Sequence, residues 1–389
     1  MTEIAPFTGY VYPNETIIPW GVLIVLYPYL TGLVAGAFTV SSFYHVFGMQ
    51  QFKPVARLAL LTSLSVMLFV PTPLLMHLGH PERALNSMIT PHLTSAFAMF
   101  GFFAAFYLLL LSLECWFVFR ADNVARAQDS TGLTRAFYRA ITLWSDDVSP
   151  RARIIDQKML LTLAIVGIPA AHGLHGYIGF VYGSLKARQW WETDLMPVIF
   201  LFSAIVSGIA LLMVLYVVTS KLRRVPIDYA CVKGLTYALW GFLMFTVILE
   251  GLGFTTMVYK GREGIDMIMK YVQGPLFFRY FVLQFGIGAL LPIAIMSVMI
   301  ERNIRGKAFI IGATICAVLV LMNVALMRWN VVIGGQEISK TGKGLLTYPL
   351  PLWGRESLAS ATTLLLAPFV LLSLLVRLFP PWADPPSSA

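Results

Sequence analysis

Met196-Pro-Val-Ile-Phe-Leu-Phe-Ser-Ala-Ile-Val-Ser-Gly-Ile-Ala-Leu-Leu-Met-Val-Leu-Tyr-Val-Val218 runs without one charged side chain. A helix crossing ~30 Å of hydrocarbon needs about 20 such residues. Lipid offers no hydrogen bonds to backbone groups, so a segment of this kind is helical. Eight further apolar stretches begin near Pro19, Val55, Leu93, Met159, Leu235, Phe277, Phe309 and Leu358. The sequence therefore predicts an all-α integral membrane fold of about nine transmembrane helices. Geometry suggests two four-helix bundles, over 19–183 and 184–335. A non-cytoplasmic segment precedes them (1–18). An outer loop, a peripheral ninth helix and a tail follow (336–389).

Composition agrees. Of 389 residues, 58% are hydrophobic and only 12% charged, against about 25% charged in soluble domains. The net charge of +9 reads as basic loops. No basic–aromatic surface points to nucleic acid. Cys115, Cys231 and Cys316 stand alone, without the spacing of a zinc or iron–sulfur site, so neither metal is expected in this chain. The polar, acidic start lacks the basic region of a cleavable signal, and the first helix is expected to act as its own insertion signal. Loop segments 47–57, 119–158, 220–233 and 301–307, with the C-terminal end, hold 17 Lys and Arg, and the opposite loops hold 9. By the positive-inside rule the N-terminus lies outside and the C-terminus inside, as in a multi-pass protein of the cytoplasmic membrane. The loop after the third stretch is expected to carry a short amphipathic helix (134–144). Pro28, Pro71, Pro73, Pro169 and Pro292 are expected to kink helices.

Ionisable residues inside the apolar stretches mark function first. His77, His80, Glu82 and Arg83 end the second stretch. His172 and His175 share a face of the fourth, three residues apart. Glu250 closes the sixth and Arg279 opens the seventh. This topology brings them all towards the outer side. Against quinone binding by His172 and His175 stand interhelical hydrogen bonding and haem ligation, for which only His77 with His172 offers a cross-helix pair. For Glu250 the simpler alternative to proton transfer is an ion pair with Arg279. Ser203, Ser207 and Gly208 read as small-residue packing. Gly32 and Gly36 of the first helix are expected to leave room for a flat ring.

Several motifs resemble the polysulfide-reductase membrane-subunit (NrfD-like) family: Trp20-Gly21 with Thr31-Gly32-Leu33-Val34-Ala35-Gly36, the corner Leu78-Gly79-His80-Pro81-Glu82-Arg83, and Trp190-Trp191 followed by Ser203-x-x-x-Ser207-Gly208. His80 stands where the family's corner carries Arg. The segment Arg328-Trp329-Asn330 and the ninth helix look closest to the Dsr-complex and hydrogenase-anchor branch. The resemblance implies a subunit that exchanges electrons between membrane quinone, menaquinone or ubiquinone, and a ferredoxin-like iron–sulfur subunit at the outer face. It implies no haem or iron–sulfur cluster in the chain itself. Further partners would be cytochrome c, a haem-b membrane subunit and a cytoplasmic iron–sulfur subunit, in dissimilatory sulfur metabolism. The expected quinone-binding residues are His77, His172, His175, Glu82 and Arg83. Those expected to transfer protons are Glu250 and His80. A secondary transporter would show inverted repeats, and none is visible. A purely structural anchor would lack quinone binding.

Overall fold

Nine apolar helices carry the chain in a computed structural model that describes residues 17–261, 264–342 and 344–382. They are α1 (Val22–His45), α2 (Gln50–His77), α3 (Phe100–Asp129), α4 (Pro150–Gly183), α5 (Met196–Leu222), α6 (Tyr229–Lys260), α7 (Phe278–Glu301), α8 (Gly306–Glu337) and α9 (Leu358–Leu378). Among the described residues no strand forms beyond one isolated bridge, Ile338 to Leu345. The expectations for residues 1–16 and for the tail after Trp382 fall outside the described residues.

Helix packing follows chain order. α1 packs on α2 and α4, and α3 packs on α2 and α4. α5, α6, α7 and α8 close a second ring of neighbours, while α1 and α4 meet α5 across the seam and α9 lies against α2 and α1. The seam is the core. In α1, 89% of the most apolar window is buried inside the protein, against 11% in α6. α1 is therefore walled by protein, whereas α6 presents its apolar side outwards, as a lipid-facing helix does.

At the seam two glycines let backbones touch. A Cβ on Gly36 would overlap the Ala204 carbonyl oxygen and lie 2.7 Å from Gly208 Cα. This is the close crossing that small residues permit in membranes. Gly32 faces His175, whose Cε1 would lie 3.3 Å from a Cβ there. Neither glycine leaves space for a ring. Helix α5 fills the one and an imidazole the other.

Local chemistry shifts several boundaries. α3 begins at Phe100, because 93–99 forms successive turns after Pro91. α4 begins at Pro150, where Ser149 accepts from the Ala152 N–H as an N-cap and Pro sits in the first turn, where its missing N–H is not needed. α2 breaks at Val70 and restarts at Pro71. Pro28 and Pro169 stay inside continuous helices. The amphipathic helix spans Gly132–Ile141. Phe278–Leu290 winds as a π-helix, closing with the Leu291 N–H on Gly286 five residues back. Such wide turns are rare and frequent at functional sites.

We call the end where α1 starts the N-face, and the end where α1 finishes the C-face.

Candidate functional site

Arg328 organises the polar interior. It sits near the end of the apolar α8 and is fully buried. An isolated charge there is costly, and the neighbours show how it is accommodated. One Nη2 lies 3.0 Å from His175 Nε2 and donates to Ser203 Oγ at 2.6 Å. The guanidinium lies 3.9 Å from the Phe200 ring centroid, and His175 stacks on the same ring at 5.6 Å. Cation–π contact and hydrogen bonds replace part of the lost hydration. Because Arg328 only donates, His175 Nε2 accepts and the ring is the neutral tautomer protonated on Nδ1. An aromatic layer covers this centre towards the N-face. Trp20 stacks on Trp191 at 5.4 Å, and Tyr182 meets both edge-on and reaches Phe200. Trp191 donates to the Val331 carbonyl at 2.5 Å.

A second chain of polar groups runs through the α5–α8 bundle. Gln284, on the π-helix, donates to Glu250 Oε2 at 2.7 Å, and Asn330 donates to Gln284 Oε1 at 2.8 Å. Trp190 donates to the Asn330 carbonyl at 3.1 Å. A cavity of about 70 Å³ touches Glu250, Tyr280, Gln284 and Asn330. A larger hollow of about 400 Å³, edged by Lys186, Asp194 and Lys260, shares Glu192 and Thr193 with it. Glu250 therefore lines a small cavity that adjoins the N-face hollow.

The alternative reading of Glu250, an ion pair with Arg279, is not what the structure has. Arg279 opens α7 at the N-face, where Glu337 meets it: Nη2 to Oε2 is 2.5 Å and Nη1 to Oε1 is 3.3 Å. Tyr271 donates to the same carboxylate and accepts from Arg279 Nη2 at 3.1 Å. Burial, then the adjacent Glu337 charge, hold the Tyr271 phenol far above its ordinary range, so it stays a donor. Five residues further along α7, Gln284 meets Glu250 instead.

The corner after α2 builds a third group, at the rim. His77 Nδ1 stands 3.0 Å from Glu356 Oε1, both partly exposed. His80 Nδ1 stands 2.9 Å from Glu82 Oε1, and Arg83 Nε 4.0 Å from the same oxygen. The helix stops at His77, and Arg355 holds the end by donating to the Met76 and Leu78 carbonyls. Leu75, Leu78, Leu85, Ile89 and Trp353 are exposed around this rim. It thus combines apolar surface with an imidazole–carboxylate pair.

His172 belongs to none of these groups. Its Nδ1 donates to the Ile168 carbonyl at 2.7 Å, which leaves Nε2 as acceptor, 3.2 Å from Thr39 Oγ1. Thr39 is six residues before His45, so it lies roughly 9 Å from the C-face end of α1 at 1.5 Å per residue. The structure thus spreads the candidate residues over four places: the rim, the centre at His175, the Glu250–Gln284 chain, and the α1–α4 contact at His172. Among the described residues no three His, Cys, Asp or Glu are grouped as a metal site.

Sequence reasoning named Arg328 and Asn330 only as part of the segment ending the eighth helix and gave them no role, and it passed over Gln284, Glu337 and Glu356. A signal existed for Arg328. An Arg inside an apolar helix demands a partner at its depth, and His175 on a neighbouring helix was available. Glu356 carries no such signal, because a loop position gives no depth.

Comparison with known proteins bears on what such a chain does. Residues 12–339 match the protein family described as "Polysulphide reductase, NrfD". The chain is 31% identical over 321 residues to the C subunit of the selenate reductase of Mesobacillus selenatarsenatis, covering 81% of this chain and 73% of that protein. It is 26% identical to a Halobacterium salinarum protein named as a dimethyl sulfoxide reductase membrane subunit, covering 78% and 67%. It is 21% identical to the Hdr-like menaquinol oxidoreductase integral membrane subunit of Archaeoglobus fulgidus, covering 72% and 62%.

Proposed function

The chain belongs to the polysulphide reductase NrfD family, and on that premise we propose that it is the quinone-reacting membrane subunit of a respiratory oxidoreductase. It exchanges electrons between membrane quinone and an iron–sulfur partner docked on the N-face. In this reading the N-face lies outside the cytoplasmic membrane, and the bundle within 19–183 carries the quinone site. The chain holds the membrane end of the reaction, and the catalytic partner sets the final substrate.

The observation that carries the reading is the His77–Glu356 pair, 3.0 Å apart at the apolar rim. A quinone head group is amphipathic and needs hydrogen-bonding groups where hydrocarbon ends. His77 fits that need. It is half-buried, and it has a carboxylate to orient it and share a proton. Oxidation of one quinol releases two electrons, which pass to the partner, and two protons. His77 takes a proton and Glu356 stabilises the charged ring. Glu82, beside His80 at the exposed corner, hands protons to water, and Arg83 holds the carboxylate. His172, held between the Ile168 carbonyl and Thr39, acts only by fixing α4 against α1. His175 acts through Arg328, since its Nε2 is engaged there. Glu250, in the small cavity beside the N-face hollow, serves proton transfer in the second bundle.

Two relatives are named for selenate and dimethyl sulfoxide reduction. With the Dsr-type resemblance, this favours respiration on compounds of sulfur or its neighbour selenium. Identifying the proteins that copurify in the intact complex tests that assignment. Menaquinone is favoured over ubiquinone by the naming of a third relative.

The experiment for the site is quinol-dependent reduction of the partner's iron–sulfur centres. His77→Ala in the assembled complex lowers that rate by about 10²-fold or more, the scale of one lost acid–base group, without loss of assembly. His45→Ala, at the C-face, leaves it within about twofold. Equal rates in His77→Ala and wild type would reduce the chain to a structural anchor.

A further inference from the structure

The connection between α3 and α4 has no part in the proposed quinone reaction. Its amphipathic helix, Gly132–Ile141, is fastened to the protein along one side. Tyr138 is buried there. Its hydroxyl accepts from Arg126 Nη1 at 3.1 Å and donates to the Leu378 carbonyl, at the end of α9, at 3.0 Å. Trp116 of α3 donates to the Ile141 carbonyl at 2.7 Å.

The opposite side faces away from the protein. Leu133, Ala136, Phe137 and Ala140 recur at spacings of three and four, which places them on one helix face, and all four are exposed. Leu143 and Trp144 follow, exposed to 70% and 67%. Both hold the left-handed backbone, with φ of 53° and 57°, a conformation that bulky residues rarely adopt. The chain thus accepts strain where it turns two large apolar side chains outwards. Water is a poor neighbour for an apolar stripe of this length.

The end of the helix shows what that neighbour is. On α3, Phe106, Leu109 and Leu113 are exposed, again at spacings of three and four, as on the lipid-facing side of a spanning helix. Trp116 comes next on the same face, three residues after Leu113, and the amphipathic helix ends on it. The stripe therefore continues the lipid-facing surface of α3. Trp116 and Trp144 stand at the edge of the apolar stretch, where aromatic belts of membrane proteins lie.

We propose that this helix is a membrane-interface anchor, with its apolar face against the acyl chains of the C-face leaflet and Arg135, on the polar flank, against the phosphates of that leaflet. Interfacial helices divide in this way, with Trp, Phe and Leu on one face and Lys or Arg on the other. A soluble protein partner would need the stripe to stand clear of the bilayer, whereas Ile141 is bound to a residue of a spanning helix at the hydrocarbon edge. The anchor fixes the depth of the α3–α4 connection, and it does not depend on the quinone reading.

The test places single nitroxide labels on the full chain in nanodiscs of phosphatidylcholine and phosphatidylglycerol. Phe137→Cys and Ala140→Cys carry the label on the stripe, and Arg135→Cys carries it on the flank. All three positions are exposed, so folding survives the changes. Cys115, Cys231 and Cys316 are buried and stay in place, and the unsubstituted chain treated alike gives the background. Electron paramagnetic resonance reads collisions with oxygen, which concentrates in hydrocarbon, and with a nickel chelate confined to water. Labels at 137 and 140 lose the nickel collisions and keep those with oxygen, while the label at 135 keeps the nickel collisions. If nickel reaches all three alike, the stripe faces water and there is no anchor. A second arm repeats the measurement on the assembled complex in its own membrane, where the stripe labels stay open to oxygen. Stripe labels closed to both reagents there would mean that a protein covers the stripe, and the lipid assignment falls.

Discussion

Arg328 is the residue on which the interior depends. It is the only charged partner that His175 and Ser203 meet in the described hydrogen bonds. Arg328→Ala leaves His175 Nε2 without a donor in a dry centre, while Ser203 keeps its bond to the Phe200 carbonyl, and it opens a gap over Phe200. An orphaned buried acceptor costs about 1–3 kcal/mol, and the gap adds to it, so the variant melts well below wild type in detergent. Arg328→Lys keeps the charge but loses the planar stacking on Phe200, and its melting temperature falls between the two. A variant Arg328→Ala that melted like wild type would remove Arg328 from this role. Glu250 separates differently. Glu250→Gln still hydrogen-bonds Gln284 by turning its amide, so assembly persists while proton-coupled turnover falls roughly tenfold or more. Arg279→Ala does not reproduce that loss, because Arg279 bonds Glu337. Equal effects of the two changes on turnover would mean that Glu250 acts only through local structure.

Among elements, the α1–α5 crossing holds the two bundles together. Gly36→Ala drives a Cβ into the Ala204 carbonyl. The helices must part, and overpacking of this kind costs about 1–3 kcal/mol, with more for Gly36→Leu. Gly173→Ala meets nothing within 4 Å and leaves the melting temperature near wild type. If the two Ala variants melted alike in the same detergent, the crossing would not be tight. The elements also show what a sequence carries. Nine helices were legible because period and length follow from bilayer thickness alone. Their boundaries were not. The α4 start depends on an N-cap at Ser149, and the late α3 start on turns that hydropathy does not register. The π-helix of α7 was invisible, since no residue in 278–290 announces it.

For the molecule as a whole, the arrangement of helices decides which polar groups can meet. The sequence placed His77, His172 and His175 in one outer cavity because the second and fourth helices run parallel. The packing separates them. α1 passes beside α4, with Gly32 at His175 and Thr39 at His172, while the end of α2 turns towards α9 and Glu356. Glu356 lies 279 residues from His77 in sequence, so no local pattern could reveal the pair. What remained legible was the corner: His77, His80, Glu82 and Arg83 gather at the N-face end of α2, in a chain similar to membrane subunits of reductases. Reaction of quinone at the rim of α2 and α9 can be tested with a photoreactive quinone analogue. The analogue is crosslinked to the assembled complex in its own membrane and mapped by peptide mass spectrometry. Label is expected within 71–83 and 352–358, and excess unlabelled quinone removes it. Label within 250–284, beside Glu250, or within 44–58 at the C-face would contradict a rim site.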